Sequence, residues 1–313
     1  MSLELNIGPP QLAINEGNLV LVTERDGLIS APGERGLFFF DTRMVSSWSV
    51  VADGVPWVLL NSGNIAHYAT RIFLLNKTVH SAEGTIPRHS LGLAVSRSLG
   101  GGMHEDLDLT NHAPGPVKFN LELTIGCDFA DIFDVRARNI VRRGRITTQW
   151  SAAKAQLTTS YRNRDFSRQV IISVAHNDSV PVYANGSLSF QIALAPGESW
   201  HACLLYRLSD GKRHFAAPES CIEQSLASAA GERMRGWQDS VLKMETSNKE
   251  VYRLYGRAVE DMAALRLPIH GTDHLRYVPA AGVPWFVALF GRDSLIASLQ
   301  SIIVYSDFAG ATL

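Results

Sequence analysis

From residue 15 to about residue 210, apolar and polar positions alternate with the period of a half-buried strand. Phe119, Leu121, Leu123 and Ile125 are separated by Asn120, Glu122 and Thr124. Leu188, Phe190, Ile192 and Leu194 repeat the pattern, with Ser189 and Gln191 on the other face. One face of each strand therefore belongs in a core and the other in water. Turn signals punctuate the strands. Asp53-Gly54 lies between SWSVVA and VPWVLL, a strong hairpin signal. Gly100–Gly102 follows LAVSRSL, and Ala195-Pro196-Gly197-Glu198 divides another pair of strands. So many strands with short turns predict a mainly β fold, a large antiparallel β-sandwich.

Near residue 212 the period changes to that of a helix. Ser220 with Glu223 reads as a capping box, followed by Ile222, Leu226 and Ala229 at helical spacing. Ser247 with Glu250 reads as a second. It precedes the stripe Val251, Leu254, Tyr255, Ala258, Met262, Leu265, which Pro268 ends. A loop is expected from about 267 to 291. A third helix is expected near Asp293, with Ile296, Leu299, Ile302 and Ile303 on one side. The pattern divides the chain into a sandwich domain at 1–212, a helical linker at 213–266 and the beginning of a further helical domain at 267–313. That last helix has little to bury its apolar side against, so the chain is expected to be the front part of a longer protein.

Composition narrows the function classes. Of 313 residues, 46% are hydrophobic and 19% charged, which is ordinary for a globular protein. Lys plus Arg is 29 and Asp plus Glu is 30, so the net charge of −1 gives no reason to expect nucleic acid or an anionic membrane as partner. The local basic run Arg136, Arg138, Arg142, Arg143, Arg145 lacks an aromatic stacking platform and reads as a solvated face or an interdomain contact. No run of about 18 apolar residues predicts a membrane span. The first residues, MSLELNIGPP, have no signal-peptide pattern, so a cytoplasmic location is expected. Cys127, Cys203 and Cys221 are odd in number and widely spaced, and read as small buried hydrophobes.

The candidate chemistry concentrates in AGVPWFVALFGRDSLI at 281–296. Arg292 and Asp293 form a forked cation beside a carboxylate, suited to sugar hydroxyls, and Trp285 and Phe290 offer rings for the C–H face of a sugar. Each has a plainer reading too. Asp293 is well suited to cap the third helix, and the rings are common core residues. Asp293 is a poor general acid, because the adjacent guanidinium favours its ionised form. Tyr277 and Asp273 are weaker candidates in the same loop. Asp128, Asp131 and Asp134 recur every third residue, but the apolar residues between them favour a packed turn over a calcium loop. Asp41 with Arg43 reads as a structural ion pair or turn contact, with a role near the pocket rim as the further option. His270 and His274 lie beside Gly271 and Pro268, which break the helix a zinc pair would need. No CxxC or GxSxG motif is present, and no cofactor or metal is expected.

Three segments together resemble the bacterial and archaeal amylo-α-1,6-glucosidase (glycogen debranching) proteins: GLFFFDTR at 36–43, DFADIFDVR at 128–136 and AGVPWFVALFGRDSL at 281–295. The resemblance runs from about residue 15 to 305. It implies an N-terminal β-sandwich, linker helices and the start of an (α/α)6 toroid that hydrolyses α-1,6-linked glucose at branch points. It further implies that Arg292 and Asp293 bind the terminal glucose of an α-glucan or oligosaccharide, with Trp285 and Phe290 lining the pocket. The family is inverting by resemblance, which needs two carboxyls roughly 6.5–9.5 Å apart. No residue of this sequence matches that acid or base, so no catalytic residue is assigned here and the missing C-terminal toroid is the expected partner. Two alternatives stand beside this reading: another glucosidase of the glucoamylase- and trehalase-like clan, and a non-catalytic β-sandwich that binds α-glucan.

Overall fold

Strands dominate the computed structural model, which describes residues 11–30, 33–221, 229–269 and 276–313. The strongest alternating segment becomes the centre of a five-stranded antiparallel sheet. Strand Val117–Gly126 lies between Ser187–Leu194 and Ser47–Ala52, with short strands Val182–Ala184 and Val55–Pro56 at the edges. Phe119 faces Ile192, Leu121 faces Phe190 and Leu123 faces Leu188, all buried, so the period-2 pattern fixes the register. The second large sheet has nine strands. Its order is Arg145–Ser151, Gln156–Asn163, Phe166–Ala175, Ser199–Ser209, Met103–Asn111, Leu91–Leu99, Ala69–Leu75 and Val58–Ala66, with His214–Phe215 added to Ser199–Ser209. A third sheet of four strands, Gln11–Glu16, Leu19–Glu24, Gly36–Phe39 and Thr42–Val45, packs beside them, and Val79–Ser81 pairs with Gly84–Ile86 as a short hairpin. One apolar cluster spans all three sheets, so the mainly β, sandwich-like expectation holds.

The turns behave as their residues require. Asp53 and Gly54 both take positive φ, 42° and 76°, the geometry of a two-residue hairpin turn. Gly100–Gly102 closes the hairpin from Leu91–Leu99 to Met103–Asn111. Ala195–Glu198 does something else. It carries the chain from the five-stranded sheet into the nine-stranded one, so its two flanking strands are neighbours in sequence and not in a ladder.

A buried carboxylate crosses the interior. Glu105 accepts hydrogen bonds from Arg97 Nε at 2.7 Å, Tyr206 Oη at 2.8 Å and Trp48 Nε1 at 3.1 Å. Arg97 and Tyr206 belong to the nine-stranded sheet, whereas Trp48 belongs to the five-stranded one. The Arg97 guanidinium also lies 4.1 Å from the Trp48 ring centre and donates to Gly27 O.

Helices form α1 (Ile132–Arg136), α2 (Ala229–Ser240), α3 (Lys249–Ala264), α4 (Gly291–Gln300) and α5 (Asp307–Thr312). Several local expectations need correction. The N-cap of α3 is Asn248, whose side chain accepts from Glu250 N and Val251 N, and not Ser247. The expected stripe holds only in part: Tyr255 and Met262 pack inward beside the buried Val259 and Ala263, while Val251 and Leu254 are exposed. The expected loop after α3 contains a small antiparallel pair, Arg266–Ile269 with Arg276–Pro279. Pro268 sits in a strand there, and α3 has already ended at Ala264. The N-cap of α4 is Phe290, so Asp293 lies within the first turn and does not cap it. Ile222, Glu223 and Leu226 of the first capping box, and His270, Asp273 and His274, lie outside the described residues.

The helical part gathers around Trp237 of α2. Its ring packs with Val259, Ala263, Tyr305 and Phe308, and its Nε1 donates to Val259 O at 2.9 Å. No described helix is long and apolar enough to cross a membrane.

Replacing Glu105 by Ala would strand the Arg97 charge, the Trp48 N–H and the Tyr206 hydroxyl in the core. Chemical denaturation of Glu105→Ala is expected to show a loss of about 3–5 kcal/mol.

Candidate functional site

The three motif segments, far apart in sequence, meet in space. Gly36 of the first has φ +157°, and a Cβ there would lie 2.6 Å from Arg43 Cδ and 2.7 Å from Val45 O. Glycine is what lets the Arg43 side chain pass close against the neighbouring strand, Gly36–Phe39. Arg43 is fully buried and bidentate on Asp128 of the second segment, and it donates to Gly33 O at 2.6 Å. Its carboxylate partner is Asp128, so the ion-pair reading of Asp41 is corrected and the turn-contact reading stands. Asp41 contributes its backbone carbonyl to Ile132 N instead.

The three aspartates of the second segment each have a separate structural task. Asp128 holds Arg43, Asp131 caps α1 by accepting from Phe133 N, and Asp134 pairs with Arg143. That division fits the packed-turn reading. Ala130, Ile132 and Val135 then join Val20, Val22 and Phe38 in a small apolar cluster, onto which Val283, Trp285 and Val287 of the third segment pack. Trp285 meets Phe38 edge to face at 5.9 Å between ring centres. Arg136 lies 5.3 Å from the centre of the Phe286 ring.

This platform supports the start of α4. Trp285 is half-buried and serves as the anchor, so its role in the packing is structural first. Phe290 is 39% exposed and touches Phe286 at 5.7 Å between ring centres. The Arg292 side chain is 84% exposed, and its Nε lies 3.8 Å from Asp293 Oδ2. The pair is therefore loose and open to solvent, with the guanidinium donors available to an incoming hydroxyl.

A separate cleft of about 350 Å³ lies where the sandwich meets the helical part. Phe40, Phe215 and Tyr277 contribute rings, and Glu16, Arg233 and Arg266 contribute charge. None of Trp285, Phe290, Arg292 and Asp293 lines it. Tyr277, a weaker sequence candidate, does, with the Arg266 guanidinium 4.8 Å from its ring centre. Glu16 is the hinge of this contact. It accepts from Arg233 Nε of α2 at 3.0 Å and from His67 Nε2 at 3.2 Å. Next to it, Asn15 donates to Ala264 O at the end of α3 at 2.6 Å. Burial pushes the Glu16 carboxyl up, but His67 and Arg233 outweigh it and hold the carboxyl below its ordinary value of 4.5.

The cysteines also need correction. Cys203 is buried, but it is no isolated hydrophobe: its Sγ lies 3.6 Å from Cys221 Sγ and 3.3 Å from Asp106 Oδ1. Burial and the neighbouring Asp106 carboxylate push its thiol well above the ordinary value. Cys127 is the solitary one, and burial raises its thiol to about 12. The convergence at Cys203 and Cys221 is invisible in sequence, because the residues sit on different strands and loops.

A family profile described as the N-terminal domain of (some) glycogen debranching enzymes matches residues 14–205. The chain belongs to that family. Family membership places it among carbohydrate-active proteins. A search of curated proteins gave no match. Among solved structures, the chain is similar to a protein from the human microbiome described as a kojibiose phosphorylase. The identity is 8% and the TM-score 0.44, over 82% of this chain and 36% of that one. The chain thus spans about a third of the length of that protein. It is also similar to an Escherichia coli K12 protein described as an aldose 1-epimerase, at 11% identity and TM-score 0.37, covering 64% of this chain and 99% of that one. A galactose mutarotase-like protein from Lactobacillus casei ATCC 334 is similar at 9% identity and TM-score 0.36, covering 64% and 100%.

A carboxyl whose folded value lies below its unfolded one contributes stability at neutral pH, and that contribution is lost as pH falls below about 4.5 through the folded value. Wild-type thermal stability should therefore drop in that window more steeply than that of Glu16→Gln, as read by melting temperature across pH 3–6, roughly the range in which a carboxylate titrates.

Proposed function

We propose that the chain is the N-terminal part of a glycogen-debranching α-1,6-glucosidase, in which Arg292 and Asp293 bind the hydroxyls of the terminal glucose and Phe290 lines the same pocket. Trp285 acts mainly by anchoring the loop that carries them. The general acid and general base come from a further helical toroid. The observation that carries this reading is the convergence of the three motif segments on one small cluster, with the Arg292–Asp293 pair exposed at its edge. Such an arrangement fixes the loop while leaving the hydroxyl-binding groups free, which is what a positioning site requires.

The helices support the same reading. On α4 the inward positions are serines: Ser294 donates to Pro279 O, and Ser298 bonds near Phe308 and Thr312. Leu295, Ile296 and Leu299 point outward and are exposed, as is Leu254 of α3. Helices with apolar residues on the outer face are what a toroid would cover with further helices.

A second reading is favoured by the cleft at Phe40, Phe215, Tyr277 and Arg266, which is formed by this chain alone. Rings beside charged donors would suit a glucan chain bound without catalysis. Affinity electrophoresis of the 313-residue chain in glycogen gels separates the two, because retardation abolished by Tyr277→Ala and untouched by Arg292→Ala favours this second reading.

In the complete enzyme, Arg292→Ala is expected to cut glucose release from limit dextrin roughly 10- to 100-fold, the loss of one or two charge-assisted hydrogen bonds. Its melting temperature should stay at the wild-type value, since the side chain is mostly in solvent. Wild-type kinetics for that variant would end the assignment.

A further inference from the structure

On the outer face of the nine-stranded sheet, four metal-ligating side chains meet. His104 and Asp106 are two apart on strand Met103–Asn111, so they share a face. Cys203, on the neighbouring strand Ser199–Ser209, stands directly opposite Asp106 in the register. Cys221 arrives from the segment that follows the last sandwich strand, His214–Phe215. One donor atom from each of the four lies within 4.8 Å of every other. His104, Asp106 and Cys203 are buried and Cys221 is half-buried.

The separations suit a cation better than a disulfide. The two sulfurs are 3.6 Å apart, far from the roughly 2.05 Å of a bonded pair. Two thiolates on a tetrahedral zinc, at about 2.3 Å each, would stand about 3.8 Å apart. The His104 Nε2 to Asp106 Oδ1 separation is 2.8 Å, and Asp106 Oδ1 to Cys203 Sγ is 3.3 Å. Zinc between these atoms needs edges of about 3.3–3.8 Å, a shift of half an ångström or so for the nearest pair.

The imidazoles are held from behind, as metal-bound histidines are. His104 Nδ1 lies 2.7 Å from Pro218 O, which can only accept, so Nδ1 carries a proton and Nε2 faces the cluster. His201, at the rim, repeats the arrangement. Its Nδ1 is 2.6 Å from Asp108 Oδ1 and its Nε2 is 3.0 Å from Cys203 Sγ. Two sulfurs, an imidazole and one carboxylate form a donor set for zinc, and too few oxygens for calcium or magnesium.

We propose that His104, Asp106, Cys203 and Cys221 bind one zinc ion in a closed, structural site that fastens the Pro218–Cys221 segment to the outer face of the sandwich. Four protein donors leave no open position, so the ion acts as a clamp and not as a reagent. The segment it holds leads from the sandwich toward α2, and the clamp fixes where that connection departs. This inference is independent of the glucan reading.

The test uses the full 313-residue chain, purified without chelator under reducing conditions. Elemental analysis is expected to find one zinc per chain in the wild type and none in Cys221→Ser. Cys221 is the residue of choice because it is only half-buried, so its loss separates binding from folding better than that of Cys203. Cobalt added to zinc-stripped protein should give thiolate-to-cobalt charge transfer and the visible bands of a tetrahedral ion, both absent in Cys221→Ser and in Asp106→Asn. Chelator should lower the wild-type melting temperature by roughly 5 °C or more and leave Cys221→Ser unchanged. Metal-free wild-type protein whose cobalt adduct shows no thiolate bands would overturn the proposal. So would a chain whose intact mass, after purification without reductant, shows Cys203 and Cys221 joined as a disulfide that zinc does not prevent.

Discussion

The carboxylate of Glu105 couples the two large sheets across their shared core. Sheets that meet only through aliphatic side chains can slide and repack at little cost, because dispersion and hydrophobic burial have no direction. A buried anion has direction. Glu105 has to satisfy its oxygens with Arg97, Tyr206 and Trp48, and Trp48 is the group supplied by the opposite sheet. The net contribution of such a network to stability is small once desolvation is counted. Its effect is on registration: only one placement of the five-stranded sheet brings the Trp48 N–H onto Glu105 while Arg97 stacks on the same indole. The surrounding apolar core supplies the driving force, and the carboxylate selects the arrangement.

From that fixed frame the molecule builds a second, smaller platform. The buried Arg43–Asp128 pair locks the first motif segment to the second, and the cluster of Phe38, Ile132 and Val135 then receives Trp285. Each step rests on the one before. The exposed ends, Phe290 and Arg292, inherit their position from a chain of buried contacts that reaches back to the sandwich. In this light, motifs that look like separate signatures in the sequence are parts of one contact. Their residue types follow from its geometry: glycine at 36 to clear Arg43, aspartate at 131 to cap α1, tryptophan at 285 to fill the gap against Phe38.

What was legible in the sequence follows from how local each cause is. Strand alternation is local and strongly periodic, so Phe119–Ile125 and Leu188–Leu194 announced both their faces and their burial. The Asp53-Gly54 turn was equally readable, because its positive φ values are set by the two residues themselves. Helix caps were missed by one to three residues, since Asn248 competes with Ser247, and Phe290 begins α4 without any side-chain cap. The facing of the first half of α3 differs for a deeper reason, whereas the uncovered apolar side of α4 is as expected. An apolar stripe marks the buried side of a helix only when the helix has one buried side. Here Trp237 selects Val259 and Ala263, and hydrogen bonds draw Ser294 and Ser298 inward, so the larger apolar residues remain outside. Among the candidate site residues, the adjacency of Arg292 and Asp293 is plain in the sequence, whereas the anchoring of Trp285 on Phe38 depends on a contact between residues about 250 positions apart.

The His104–Cys221 cluster carries this lesson furthest. Metal sites that sequence can announce keep their ligands in short, spaced pairs, because a tight turn or one helix face presents them together. A β-sheet offers another route. Strand register places Asp106 opposite Cys203 although 97 residues separate them, and His104 joins by being two residues along the same strand. The fourth group, Cys221, comes from a segment that has left the sheet and doubles back over it, with Pro218 O bonding His104 on the way. Apart from the two-residue spacing of His104 and Asp106, none of these placements has a sequence period of its own. They are consequences of ladder pairing, and the same ladder is held by the core whose register Glu105 selects. The outer-face cluster and the inner-face carboxylate are thus two sides of one strand, Met103–Asn111: its odd positions select the sandwich, and its even positions are free to hold what crosses over it.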